Sequence, residues 1–348
     1  MDRNLDLAGM LNVTTAPAFL AKENIITHVN TAAQGLLIEE GASVLPMLHS
    51  GANEYADFQD GCLYVTLEVS GTRMGAAVHR FGQGDLFLLE QAQEQTELRA
   101  LALAAQELRE PMSGIMAGVE ELLAARDGSK QTPELSRSLY RMLRILGNMS
   151  DAGHVCSLFR PETVDICSVF HEIFQKAAHS LGQAGWTLHH SVPESSIYCM
   201  ADPALLERGF LNMLSNAMKH ASPAMPLEAR LTRRERMLCL TLHDNGDGIP
   251  REQLPSVFTR YLRQPTIEDG RQGIGLGMVV IRNVASHHGG TVLVRSSKEQ
   301  GTQITMTIPI RQSEGTVLRS PALRVDYGGE WDHPLLELSD CLPGFLFE

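Results

Sequence analysis

Asp244-Asn245-Gly246-Asp247-Gly248-Ile249-Pro250 follows directly on an alternating apolar stretch, Leu238–His243, and converts it into a glycine-rich turn. Glycines at alternate positions let main chain approach a flat ligand closely. A carboxylate at a strand end can accept a hydrogen bond from an exocyclic amine such as that of adenine. Alone, the stretch reads equally as a calcium-like loop or a plain turn. Downstream, Gly273-Ile274-Gly275-Leu276-Gly277 opens a helix, and free N–H groups there, unobstructed by side chains, suit phosphate. No Gly-Lys-Ser/Thr trails it, and no Rossmann βαβ unit follows. Upstream, the run Asn212-Met213-Leu214-Ser215-Asn216-Ala217-Met218-Lys219-His220 sets Asn212 and Asn216 one helical turn apart, with Lys219 close beside them. Buried amides are costly without partners, and amide oxygens with an ammonium suit Mg²⁺ and phosphates.

These segments fall within one unit, 162–311. Asp165 begins a helix with Ile166, Val169, Phe170, Ile173, Phe174 and Ala177 on one face. Strands are expected at Trp186–Ser191 and Ile197–Met200. Asp202-Pro203 caps and opens a helix to about Ala221. Leu227–Thr232 and Leu238–His243 alternate as a hairpin, Leu276–His287 is helical, and Thr291–Ser296 and Thr302–Ile310 close the unit. The class is α+β, with helices layered on a mixed, mostly antiparallel sheet.

Residues 1–90 form a small α/β module. Short strands are expected at Phe19–Ala21, Ile25–Val29, Leu63–Val69, Met74–Phe81 and Leu86–Leu89, and Asn30 caps a short helix through Leu37. The order, with Asn30-Thr31-Ala32-Ala33, resembles a PAS sensory domain; no flavin-adduct cysteine motif is visible. Between 92 and 160 the rhythm is helical. Leu98, Leu101, Ala105, Leu108, Met112, Ile115, Val119 and Leu122 make one heptad seam, and Leu135, Leu139, Met142, Leu146 and Met149 a second, opened by Thr132-Pro133. A hairpin with so much apolar surface is satisfied by dimerisation into a four-helix bundle, or by serving as an interdomain coiled-coil spacer. Residues 312–348 are an irregular tail carrying Leu335, Leu336, Leu338, Leu342, Phe345, Leu346 and Phe347. Its apolar content suits docking on the body or recognition of a partner.

The composition excludes several functions. Twenty-nine basic residues against 41 acidic ones give a net charge of −12, the wrong sign for general affinity to nucleic acid or anionic lipid. Residues 1–90 alone hold eleven acids and four bases. No apolar run approaches the ~20 residues that cross a bilayer, and no signal peptide is evident. Six scattered cysteines without a CxxC pair point to reduced thiols in a cytoplasmic protein rather than a zinc site or disulfide frame.

Taken in order, Asn216, Asp244-x-Gly246-x-Gly248, Phe258, Gly273-x-Gly275-Leu276-Gly277 and Gly301-Thr302 resemble the N, G1, F, G2 and G3 boxes of the sensor histidine kinase catalytic domain. This is the Bergerat ATP-binding α/β sandwich shared with gyrase, Hsp90 and MutL, and the resemblance covers about 150 residues. It implies that Asp244 reads adenine and that Gly246, Gly248 and Ile249 line its pocket, with Gly273, Gly275, Leu276, Gly277 and Thr302 also at the nucleotide. Asn216 would coordinate Mg²⁺, with Asn212 and Lys219 at the phosphates. Phe258–Gln272 would be a mobile lid, with Arg260, Arg263 and Arg271 available to phosphate or simply solvated.

Two departures matter. ATPase and serine-kinase members of the superfamily place a Glu four residues before the Mg²⁺ asparagine; here Asn212 stands there, and an amide takes no proton at pH 7. The helical hairpin carries Ala105-Gln106-Glu107-Leu108-Arg109-Glu110-Pro111-Met112 against a family signature S-H-E-L-R-T-P-L. Glu107 is in place to take an imidazole proton, but the acceptor histidine is Gln106, whose delocalised amide nitrogen is no nucleophile. His154 is the nearest substitute in sequence. The expectation is a cytoplasmic, homodimeric histidine-kinase-like protein that uses ATP and Mg²⁺. It would pass phosphoryl groups to a histidine elsewhere and work with a response regulator or histidine phosphotransfer protein, without nucleic acid or a membrane span. The alternative is a pseudo-kinase in which ATP occupancy sets dimer shape and partner choice.

Overall fold

The computed structural model describes residues 11, 14–82, 84–90, 96–108, 112, 115, 132–153, 159–251, 253–258, 275–311 and 332–347. In the amino-terminal module, β1 (Ala18–Lys22) and β2 (Ile25–Val29) form a hairpin. Glu23 and Asn24 at its tip have φ of 51° and 67°, the paired left-handed geometry of the tight turn that matches strand twist. Asn30 caps α1 (Thr31–Gln34): its Oδ1 accepts from the Ala33 N–H at 2.9 Å. The helix ends at Gln34, shorter than the sequence predicts, and Leu37 beyond it stands at φ 62°. There follow β3 (Leu48–Ser50), α2 (Ala52–Asp57), β4 (Cys62–Val69), β5 (Thr72–Phe81) and β6 (Gly84–Leu89). The core of this module is close-packed, with Phe19 stacked on Phe87 at 4.5 Å and Tyr55, Ile26 and Leu63 buried around them.

Residues 96–108 are helical, here α3, and α4 spans Thr132–Gly153. The second unit begins with β7 (Glu162–Asp165) and α5 (Ile166–Gln183), followed by β8 (Leu188–Ser191), β9 (Tyr198–Ala201) and α6 (Pro203–His220). Then come β10 (Leu227–Arg234), β11 (Met237–Asp244), α7 (Gly277–His287), β12 (Val292–Ser297) and β13 (Gly301–Pro309). Both expected caps are present: Asp165 accepts from Cys167 N–H at 3.2 Å and Asp202 from Leu205 N–H at 3.2 Å. Helices α5, α6 and α7 bury Phe170, Phe174, Phe210 and Ile281 with Leu238, Leu240, Leu242, Ile304, Met306 and Ile308 of the sheet. The alternation in β11 and β13 explains this, since period-two residues share one face.

Two features lie beyond the sequence reading. The sheet is continuous across both units, in the order β2-β1-β6-β5-β4-β12-β13-β11-β10-β8, with β3 also on β4. The join is an antiparallel pairing of Cys62–Tyr64 with Val292–Val294. The carboxy-terminal segment is also built into the body. Asp332 caps α8 (His333–Glu337), accepting from Leu335 N–H at 2.9 Å, and Leu336, Leu338, Leu342 and Phe347 are buried. Part of the stretch expected to be irregular is therefore ordered, because its apolar residues fill the angle between α4 and the unit that contains α6.

Candidate nucleotide site

Helix α6 supplies the first group. Asn212 is fully buried; its Nδ2 donates to the Arg208 carbonyl at 3.0 Å and to Glu337 Oε2 at 3.4 Å. Its Oδ1 has no hydrogen-bond partner among the described residues. Exchanging the amide's ends would set two acceptors against that oxygen, so the orphan acceptor is real. A Cβ on Gly277 would meet Asn216 Oδ1 at 3.2 Å and Asn212 Oδ1 at 3.4 Å, so both asparagines face the start of α7. Lys219 Nζ, one turn on, lies 3.1 Å from Asp340 Oδ2.

The second group closes the ends of β11, β12 and β13. Asp244 is buried, and its Oδ1 accepts from Gly246 N–H at 2.9 Å and Thr302 N–H at 3.2 Å. Burial pushes its carboxyl up, and those two N–H groups pull it back. Thr302 Oγ1 lies 2.8 Å from Ser296 Oγ, which accepts from Ile249 N–H at 2.7 Å. Gly246 and Gly248 also permit close approach within the protein itself. A Cβ at either would lie 2.3 Å from a carbonyl, that of His220 or of Ser297. The glycines let the loop pack on its own protein.

The structure thus brings Asn212, Asn216 and Gly277 together, and Asp244, Gly246 and Thr302 together. Gly275 is exposed just ahead of α7, whereas the Leu276 side chain is buried with Leu98, Ala152 and Val279. The Leu276 side chain is therefore a packing group, and only its main chain is left to meet a ligand. Glu107 is not in either group; it and Gln106 are exposed on α3. Gly273, His154 and the lid arginines 260, 263 and 271 lie outside the described residues. Phe258 is buried, 5.3 Å from the ring of Tyr64.

Sequence reasoning missed an ion cluster. Arg208 pairs with Asp151 at 2.8 Å and faces Glu337 at 3.5 Å; Arg144 of α4 reaches Glu337 at 3.7 Å, donates to Ser215 Oγ at 2.7 Å and contacts Asp340. Arg141 holds Asp340 at 2.9 Å. A signal existed: Arg208, Asn212, Ser215 and Lys219 repeat at helical spacing along an otherwise apolar helix.

A Bergerat-type α/β unit with an asparagine pair, one member fully buried, and a capped strand-end aspartate defines a class, and comparison supports it. Residues 201–312 match the family described as histidine kinase-, DNA gyrase B-, and HSP90-like ATPase. The adaptive-response sensory kinase SasA of Synechococcus sp. (strain CC9311) is 28% identical over 225 residues, 64% of this chain and 59% of SasA. The sensor protein kinase WalK of Staphylococcus epidermidis (strain ATCC 12228 / FDA PCI 1200) is 25% identical over 235 residues, 63% of this chain and 38% of WalK. The chain spans about 59% of the length of the first of these relatives. Full-length ShkA, solved in complex with AMPPNP, shares the fold with TM-score 0.51 at 19% identity, over 62% of this chain and 46% of ShkA. Residues 201–312 thus match an ATPase-like domain family, and about two thirds of the chain is similar to sensor kinases.

Proposed function

We propose that the protein binds ATP with Mg²⁺ and works as a signal-coupled phosphotransferase whose acceptor histidine lies outside its own first helix. The observation that carries this reading is the buried, unpartnered Asn212 Oδ1 beside Asn216 and Gly277. A donor-poor amide-oxygen cradle of this kind fits a hard cation. Asn216 and Asn212 would hold Mg²⁺, which when bound neutralises phosphate charge. Lys219 would meet the phosphates, and Asp244 the exocyclic amine of adenine. Two main-chain N–H groups already fix the Asp244 carboxylate, so it needs no reorganisation to accept from the base.

On this reading residues 14–90 are a PAS-like input module, supported by strands and short helices in the expected order. Homodimerisation is supported by Leu103, Leu108, Leu135 and Met142, large apolar side chains that stand exposed on α3 and α4 of the single chain. Free, buried Cys62, Cys167, Cys199 and Cys239 support a cytoplasmic location on this reading. Among the described residues no helix is long and apolar enough to cross a membrane. Partners would be a histidine phosphotransfer protein or response regulator. The second reading, a pseudo-kinase, is favoured by Gln106, whose exposed amide occupies the acceptor position.

Calorimetry tests the nucleotide site. Asp244→Ala removes a charge-assisted hydrogen bond of ~1.5–3 kcal/mol and should weaken Mg²⁺·ATP roughly ten- to hundredfold. Equal affinities would remove Asp244 from this role.

A further inference from the structure

Glu337 is an acid almost without solvent exposure, eleven residues from the end of the chain, and it touches Asn212. Three residues on, Asp340 takes Lys219. Both acids therefore engage side chains assigned above to the phosphate end of the nucleotide. We propose that residues 332–347 form an intramolecular strap whose Glu337 and Asp340 carboxylates occupy the phosphate end of the site, so that strap docking and Mg²⁺·ATP binding compete. This rests on the nucleotide reading of Asn212 and Lys219.

The chemistry of the two occupants is the same. A carboxylate, like a phosphate, presents acceptor oxygens to amide and ammonium donors. Arg208 and Arg144 flank Glu337, and Arg141, Arg144 and Lys219 converge on Asp340. With both acids displaced, that cationic set would face the nucleotide's phosphates.

The strap is held by independent anchors. Leu336, Leu338, Leu342 and Phe347 are buried, and Tyr140 meets the ring of Phe347 edge-on at 5.1 Å. Arg137 donates to the Ser339 carbonyl at 3.1 Å. These contacts run to α4, so the strap spans from the dimerisation-type helix to α6 and ties the two together. The balance is not one-sided. Ion clusters removed from water give little net stability, and their best-attested role is in setting register and switching. A strap fastened to α6 through two carboxylates within such a cluster is suited to exchange with a stronger anion.

The test uses the full chain. In wild type, hydrogen exchange at the Leu338 and Leu342 amides, which donate to Pro334 and Leu338 carbonyls at 3.0 Å, should accelerate at least about tenfold when AMPPNP and Mg²⁺ saturate the protein. The double variant Glu337→Gln/Asp340→Asn should bind Mg²⁺·AMPPNP at least about tenfold more tightly than wild type by calorimetry. Protection unchanged by nucleotide in wild type overturns the strap even if the variant fails to fold. Equal affinity in both proteins does the same and leaves the nucleotide site standing. Absence of binding in both overturns the site and the strap with it.

Discussion

Gln106 decides what the hairpin can do chemically. It is exposed on α3 next to Glu107, so a side chain there is accessible to a donor. Its amide lone pair is delocalised, and no phosphoramidate forms on it. Gln106→His should restore label transfer from γ-labelled ATP to residue 106, because Glu107 can then take the imidazole proton and Asn212 leaves ATP unhydrolysed. Wild type should show no acid-labile, base-stable label there. Label on wild type would mean that another histidine is used, and peptide mapping would test His154. An unlabelled His variant that still binds ATP would favour the pseudo-kinase. At this scale much of the site was legible, since Asn212, Asn216 and Asp244 have chemistry that a core does not want. Glu337 was not, because an acid in an apolar tail looks like an ordinary solvated charge until its burial is known.

Among the elements, helix α6 depends on a neutral histidine. His288 is buried; its Nε2 accepts from the Asp202 N–H at 3.0 Å, and its Nδ1 lies 2.8 Å from the Val284 carbonyl. Burial lowers its pKa to about 4, against 6.5 ordinarily. The unfolded chain therefore binds this proton first, and stability held above pH 6.5 is lost as pH falls toward 4, by roughly 3 kcal/mol from this group. Chemical denaturation across that window should show the loss, and His288→Gln should flatten it. Helices α3 and α4 make a separate prediction. Leu108→Asp sets a charge in an apolar seam and should convert a dimer to monomer by light scattering. A monomeric wild type at micromolar concentration would contradict the bundle. Caps such as Asp165 and Asp202 were readable because capping is local. The length of α1 was not, because a four-residue helix leaves no periodic pattern to bound it.

Across the whole molecule, the junction between the two units is a polar and aromatic cluster at the foot of the segment that follows Phe258. Tyr64 donates to Glu90 at 2.6 Å, Glu90 pairs with Arg282 at 3.1 Å, and Arg282 donates to the Phe258 carbonyl at 2.7 Å. Both charges are largely buried, so Glu90→Ala should destabilise the protein by about 3–5 kcal/mol in denaturant titration, by stranding the guanidinium. A loss under 1 kcal/mol would show the pair to be solvated. Neither the cluster nor the β4–β12 pairing was legible, since hydrogen bonding between the edges of distant segments leaves no periodic trace in either strand. The pairing also has a practical consequence. It hides a stretch of main chain whose side chains, Val292-Leu293-Val294, carry no charge and lack proline, and leaves the short strands β2, β3 and β8 as edges among the described residues. Cut away from residues 1–90, the carboxy-terminal unit would present that ladder bare, a template for adding foreign strands. Preparations of the isolated unit should therefore form strand-added assemblies larger than a dimer, which the intact chain does not form.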